Sequence, residues 1–466
     1  MTRLLALALI ASTGAWSGAC SGGASRAPAA AAPATQGDPE GPHRAAVAAQ
    51  VRPFLDGEVV SGLVVGLYDA GKLEIYGFGR GPGGKPPDGR TLYEIGSVTK
   101  VFTGLLLADA VQRKEVTLDT PVAELLPTGV TVPTRDKTAI TLRHLALHSA
   151  GLPRLPPSVS PKALNPYAKY TEEVLYRDLI QTELEHPPGT TIVYSNYGAG
   201  VLGFALGRKV GAGYQRAVEE RLLKPLGLAD TFFTVPPAAA PRRALHTDVD
   251  LRPAALWTWT DALAGAGGLT SSVRDQLALI DAELDAAAGG RSTLRGAMRL
   301  TQEEQLDERP SDNAGLGWMI DPKGRYLHNG GTAGARSFVA FDPKARRGVV
   351  VLASTGTAVI DRLGGILFDV LDKTAKPPGP LPTEAQLASY AGTYDFVGTK
   401  LQIVHANKRL YLEGPGEPRH RMAPVTEVAF WIEALQSVAF FQTDGGAVRQ
   451  VVFQIGDRQL VAPRAR

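Results

Sequence analysis

Ser97 and Lys100 stand three residues apart in "LYEIGSVTK", where Val98, Phe102, Leu105 and Leu106 begin to recur at helical spacing. That spacing predicts a helix from about Ser97 to Arg113 and puts both side chains on nearly the same face, one turn apart. A serine hydroxyl is a weak nucleophile until a base takes its proton. Lysine can be that base only if burial or a neighbouring cation lowers its pKa. The helix N-terminus adds partial positive charge that favours negative charge developing on the serine oxygen. The plain alternative is a capping serine followed by a solvated lysine, and an isolated S-x-x-K pair often arises by chance.

Three further stretches bear on the choice. "PPGTTIVYSNYGAGVLG" contains Tyr194-Ser195-Asn196. A phenol can pass a proton, and an amide both donates and accepts. Taken singly, these would be a half-buried aromatic and a turn residue. "YLHNGGTAGARSFVAFDP" contains His328-Asn329-Gly330-Gly331, in which glycine would let a substrate carbonyl approach a strand closely, or simply form a hairpin turn. The third stretch is "AGAGGLTSSVRDQLALI", at 264–280.

In this order the stretches resemble the penicillin-recognising serine hydrolases. The nearest branch is the beta-lactamase-related, class C-like family of beta-lactamases, DD-peptidases, D-aminopeptidases and esterases. Its signatures S-x-x-K, Y-x-N and K/H-x-G are all present, with matching flanks such as "LRHLALHSAGLP", "RLLKPLGLADTFF" and "GLGWMID", over roughly 43–370. The resemblance implies an α/β (α+β) fold, with an antiparallel sheet covered by helices and a helical subdomain. It also implies an acyl-enzyme hydrolase of cell-wall D-amino-acid peptides, small esters or beta-lactams, needing no metal or organic cofactor. Ser97 would be the nucleophile and Lys100 its base or the base's partner. Tyr194 would carry a proton to the leaving group, and whether it or Lys100 takes the first proton stays open. Asn196, His328 and Gly330 would line the substrate site. The backbone N–H of Gly331, with that of Ser97, would form the oxyanion hole. Rival readings are an esterase or D-aminopeptidase with negligible beta-lactam hydrolysis, or a catalytically idle binding protein of the same fold. The intact signatures argue against the last.

One position departs from the class C pattern, which has lysine where this chain has His328. Histidine, with a reference pKa of about 6.5, is mostly neutral at neutral pH. This weakens the expectation that the third signature attracts a substrate carboxylate. His144 and His148, four apart on an expected helix in "ITLRHLALHSAGLP", have a spacing that can bind zinc, but they fall in a structural loop of the resemblance. Trp257 and Trp259 read as core or cleft wall.

These groups must be held by the rest of a chain of 466 residues, 44% hydrophobic and 20% charged, with a net charge of +3. That balance and the lack of dense Lys/Arg runs argue against nucleic acid as a partner. Internal apolar stretches fall short of the ~18 residues that span a bilayer. Residues 1–20 read as a lipoprotein-type export signal, with Arg3, the apolar "LLALALIAST" and the single cysteine, Cys20, as the expected lipidation site and membrane-surface anchor. Ser17, where that signal usually has Leu, departs from the pattern. The Ala/Pro/Gly-rich 21–42 reads as a tether, 43–373 as the hydrolase domain and 374–384 as a Pro-rich linker. In 43–373, strands are expected at both ends with helices between, suggesting one sheet assembled from distant segments. The short alternating segments of 385–466 predict an all-β module, a meander or small barrel.

Overall fold

The computed structural model describes residues 37–465 except Ala212, Arg291, 306–312 and 456–457. The expected export signal, Cys20 and most of the tether lie outside the described residues.

Two strands near the start, β1 (Gly62–Asp69) and β2 (Lys72–Gly79), form a hairpin whose turn is Ala70-Gly71, both at positive φ. β1 is buried along nearly its whole length because apolar side chains leave both faces of the pleat. It pairs not only with β2 but with a strand almost three hundred residues later, β9 (Arg347–Ala353). With β5 (Asn313–Ala314), β6 (Met319–Ile320), β7 (Tyr326–Gly331) and β8 (Arg336–Asp342), these make an antiparallel seven-stranded sheet, ordered β2-β1-β9-β8-β7-β6-β5. The two distant segments therefore share one sheet. A short pair, β3 (Tyr93–Glu94) with β4 (Thr270–Ser271), stands apart from it.

Helices cover both faces. On one, α1 (Arg44–Asp56) and α10 (Ile360–Leu371) pack Val47, Leu363 and Leu367 against Leu63, Val65 and Val351. On the other lie the helices of the middle of the chain. These are α2 (Thr99–Gln112), α3 (Leu142–Ala146), α4 (Glu172–Gln181), α5 (Asn196–Val210), α6 (Tyr214–Val218), α7 (Lys224–Leu226), α8 (Val273–Ala287) and α9 (Thr293–Gln302). α2 is buried from Thr99 to Ala110, so it is a central helix surrounded by protein on all sides.

Beyond α10, a short helix α11 (Glu384–Tyr390) stands where the sequence suggested only strands. Thr383 caps it reciprocally with Gln386, a capping box readable in "TEAQ". Eight strands follow in sequence order, from β10 (Gly392–Phe396) to β17 (Arg458–Pro463). Ala465 N–H donates to Thr393 O at 2.8 Å, and Tyr394 bridges Arg464, so the meander closes into a barrel. Its core centres on Tyr390, Tyr394, Phe430 and Phe441. The barrel docks on the hydrolase domain through polar anchors. Arg421 donates to the carbonyls of Gly57, Glu58 and Val249, and Glu433 accepts from Thr357 Oγ1, Ala358 N and Trp431 Nε1.

Candidate active site

Ser97 sits in a tight turn, Gly96–Val98, that runs directly into α2; the helix proper begins at Thr99 rather than at Ser97. Gly96 has φ +48, and a Cβ there would meet Gly331 N and O at 2.8 Å. A Cβ on Gly330 would meet Ile95 O at 2.0 Å and Ser97 N at 2.9 Å. Only glycine lets the end of β7 lie this close to the serine turn. Thr332 N–H donates to Ala335 O, and Gly331 is opposite Arg336 in the ladder. Antiparallel pairs alternate, so the Gly331 N–H is not taken up by β8. β6 pairs with Tyr326 and Leu327 only, so that N–H is left toward the exposed side, where Ser97 lies.

Lys100, the second residue of α2 and one turn beyond Ser97, is buried with 3% exposure. Its Nζ lies 3.0 Å from Ser97 Oγ, 2.8 Å from Asn196 Oδ1 and 2.6 Å from Ala266 O. None of the three is a carboxylate. Burial, and then the charge of Arg154, holds its pKa well below the usual lysine value. A neutral amine has two hydrogens, and the two carbonyl acceptors use both. Its lone pair is then left for Ser97. The loop carrying Ala266 is fixed by the same helix face: Thr99 Oγ1 accepts from Leu269 N, and Thr103 Oγ1 donates to Gly265 O.

Tyr194 and Asn196 flank Ser195, which caps α5 by accepting from Gly198 N at 2.9 Å and donating to Pro153 O at 2.7 Å. Lys100 Nζ lies 4.9 Å from the centroid of the Tyr194 ring and the Arg154 guanidinium 5.2 Å. Burial pushes the phenol up to about 12, against the hydrogen bond with Ser97 and the charges of Arg154 and Arg336. Tyr194 therefore holds its proton at neutral pH.

His328 is buried on β7, its Nδ1 at 2.6 Å from Asn329 O. That contact makes Nδ1 the donor and leaves Nε2 as an acceptor. Burial, then the neighbouring Lys100, pushes its pKa down to about 3, so it is neutral. Arg336 on β8 is engaged by Asp361, which also accepts from Asn329 Nδ2.

The structure thus brings Ser97, Lys100, Tyr194, Asn196, His328, Gly330 and Gly331 together. It corrects the reading of "RHLALHSAGLP". The helix stops at Ala146, and His148 lies beyond it at φ +56. His144 turns back to cap its own helix, its Nδ1 accepting from Thr141 N, while His148 enters the cleft. The two therefore share no face. His148 Nδ1 accepts from Ser195 N at 3.2 Å, and its ring lies 4.5 Å from that of Tyr194. Burial, then Lys100, pushes it down to about 3. Sequence reasoning missed His148 as a site residue, along with Arg154 and the Ala266 carbonyl. Trp257 and Trp259 form a partly exposed aromatic cluster with Tyr167, which stacks on Trp259 at 3.9 Å. Trp259 abuts Gly267, next to Gly96, and so walls the cleft. A cavity of about 250 Å³ opens between Lys100, His148, Tyr194, Trp318, Met319 and His328.

The sequence model of the family described as Beta-lactamase matches residues 47–364. The chain belongs to that family. It is a serine hydrolase of the beta-lactamase-related type, and the match ends within α10, before the barrel. Among its relatives is the D-alanyl-D-alanine-carboxypeptidase/endopeptidase AmpH of Escherichia coli (strain K12), 29% identical over 309 residues, covering 63% of this chain and 79% of that one. A beta-lactamase of the same organism is 27% identical over 344 residues, covering 65% and 86%. Among solved structures, the beta-lactamase/D-alanine carboxypeptidase of Pseudomonas syringae superposes with a TM-score of 0.62 at 23% identity, covering 72% of this chain and 99% of that one. That likeness establishes the penicillin-recognising fold.

Proposed function

We propose that this chain hydrolyses D-amino-acid peptides and small esters through an acyl-enzyme on Ser97. One observation carries the reading: a buried lysine amine 3.0 Å from Ser97 Oγ, with neutral acceptors for both of its hydrogens. Lys100 takes the Ser97 proton as Oγ bonds to the substrate carbonyl carbon. The N–H groups of Ser97 and Gly331 hold the oxyanion, a contribution typically worth about 3–4 kcal/mol per donor. As the tetrahedral species collapses, Tyr194, protonated at neutral pH, gives its proton to the leaving amine or alkoxide and recovers one from Lys100. Water then attacks the acyl-enzyme and gives a proton to Lys100, which passes it to Ser97 Oγ as the bond between Oγ and the acyl carbon breaks. The opposite pKa directions of Lys100 and Tyr194 favour the lysine as first base. The relative named as a D-alanyl-D-alanine carboxypeptidase/endopeptidase supports the peptide class, and the relatives named beta-lactamase favour beta-lactams as a second class of acylating substrate. Export and lipidation at Cys20 belong to the same proposal, resting on the apolar "LLALALIAST" and the small residues before the cysteine.

The test is an intact-mass time course with a penicillin and, in parallel, a p-nitrophenyl ester assay, for the wild type and Ser97→Ala. A mass adduct or ester hydrolysis confined to the wild type is expected, with Ser97→Ala inert but equally stable. Activity retained in Ser97→Ala would show that the nucleophile lies elsewhere. A long-lived adduct points to a peptidase, rapid turnover of the drug to a beta-lactamase.

A further inference from the structure

Four groups of basic type surround the cleft besides Lys100, and three of them offer no free charge. His328 is a buried imidazole and His148 a half-buried one, and their Nδ1 atoms are already committed, to Asn329 O and Ser195 N. Arg336 is paired with Asp361 through Nε and Nη2, one edge of its guanidinium, so its charge is already countered. Arg154 differs. It is exposed, its guanidinium lies 5.2 Å from the centroid of the Tyr194 ring, and among the described residues no carboxylate pairs with it.

Its position is fixed by the site. The carbonyl of Arg154 accepts from Asn196 N at 2.9 Å, and the carbonyl before it, Pro153 O, accepts from Ser195 Oγ. The loop that bears the arginine is therefore bonded to the backbone of the Tyr194-Ser195-Asn196 segment. A guanidinium over a ring face keeps its in-plane N–H donors free, and these match a carboxylate in bidentate fashion. Tyr194 is where a departing amine or alkoxide is protonated in the mechanism above. In an amino-acid or hydroxy-acid leaving group, the carboxylate is attached one carbon from that atom.

We infer that Arg154 is the specificity residue that reads a carboxylate on the substrate's leaving group, the task for which buried, neutral His328 is unsuited. The inference rests on Ser97 and Tyr194 acting as proposed, and it narrows the substrate class to acyl amino acids, acyl hydroxy acids and peptides with a free C-terminus. The charge of Arg154 is also felt by Lys100, so its removal alters proton transfer for every substrate, and the test must be a ratio.

Two esters with one acyl group serve, one releasing D-lactate and the other D-lactamide, assayed with the wild type, Arg154→Ala and Arg154→Lys. The wild type is expected to prefer the lactate ester. Arg154→Ala should reduce that preference by about tenfold or more, as the loss of a charge-assisted pair implies, with the change seated in KM. Arg154→Lys should restore part of it. Equal loss on both esters in Arg154→Ala, or no preference in the wild type, overturns the inference while leaving the Ser97 mechanism standing. If the wild type cleaves neither ester any better than Ser97→Ala does, the mechanism fails and the inference with it.

Discussion

Replacing Asn196 by aspartate would place a carboxylate 2.8 Å from the Lys100 amine with almost no change in shape. The consequence can be worked from the site. Lys100 must be neutral to take the Ser97 proton, and burial, then Arg154, keeps its pKa below the usual lysine value. Wild-type kcat/KM is therefore expected to be level at higher pH and to fall as pH drops through that depressed pKa. An opposite charge at such a distance typically moves a pKa by about 1–3 units toward the charged form. The acid limb of kcat/KM for a neutral p-nitrophenyl ester should move up by about the same amount. Within the limb each unit costs tenfold, so activity at a fixed pH there should fall by about tenfold to a thousandfold and return at alkaline pH. The assay is a pH series from mildly acidic to alkaline on the wild type, Asn196→Asp and Asn196→Ala. The alanine variant removes the acceptor without adding charge, so its limb should not rise. A loss in Asn196→Asp that is uniform in pH would refute the argument, because the titrating base would then not be the amine that Asn196 touches.

Two further perturbations test the frame around the site. His328 is held at about 3 when folded, against about 6.5 when unfolded, so its contribution is fully present above about pH 6.5 and is lost as pH falls toward the folded value. The slope is about 1.4 kcal/mol per pH unit, or about 2 kcal/mol by pH 5. Urea midpoints at pH 7 and pH 5 should therefore show His328→Gln losing about 2 kcal/mol less than the wild type on acidification, and identical losses would rule this out. The carboxylate of Glu433 in the barrel accepts four hydrogen bonds, two of them from the residues just before α10, which carries Asp361. Glu433→Ala should cost about 2–3 kcal/mol in denaturant titration and lower ester hydrolysis, and an unchanged midpoint would mean that the barrel docks without this anchor.

The hydrophobic pattern carried much of the fold. The helix expected from about Ser97 to Arg113 is found as α2, and the strands expected at both ends of 43–373 share one sheet with helices between them in the chain. What it could not carry were features set by distant partners. "GLGWMID" reads as one strand, yet within it only Met319–Ile320 pairs, with Asn313–Ala314 just before the stretch, because Gly317, at φ +83, turns the loop onto the Lys100 carbonyl. The strands of the barrel are visible as alternation, whereas its closure depends on Tyr394 meeting Arg464, seventy residues later, which alternation does not encode. "RHLALHSAGLP" fits a helix by composition, but His148 adopts a left-handed conformation that places its ring against Tyr194.

The same distinction runs through the site. Ser97 and Lys100 were legible as a pair because a helix turn fixes their spacing along the chain, and Tyr194 and Asn196 through the resemblance of their stretch to the Y-x-N signature. Ala266 was not, because its contribution is a carbonyl oxygen, which every residue has. Arg154 was not, because an exposed arginine in a Pro-rich loop looks like any solvated charge until the backbone bond from Asn196 ties it to the phenol. His328 shows how position reverses expectation. From its residue type it would be a pH-responsive group near neutrality, but burial beside Lys100 removes that response and leaves Nε2 as a fixed acceptor. A site whose lysine and both histidines favour their neutral forms is suited to moving a proton between Ser97 and Tyr194, and whatever charge it recognises on a substrate must be met from its rim.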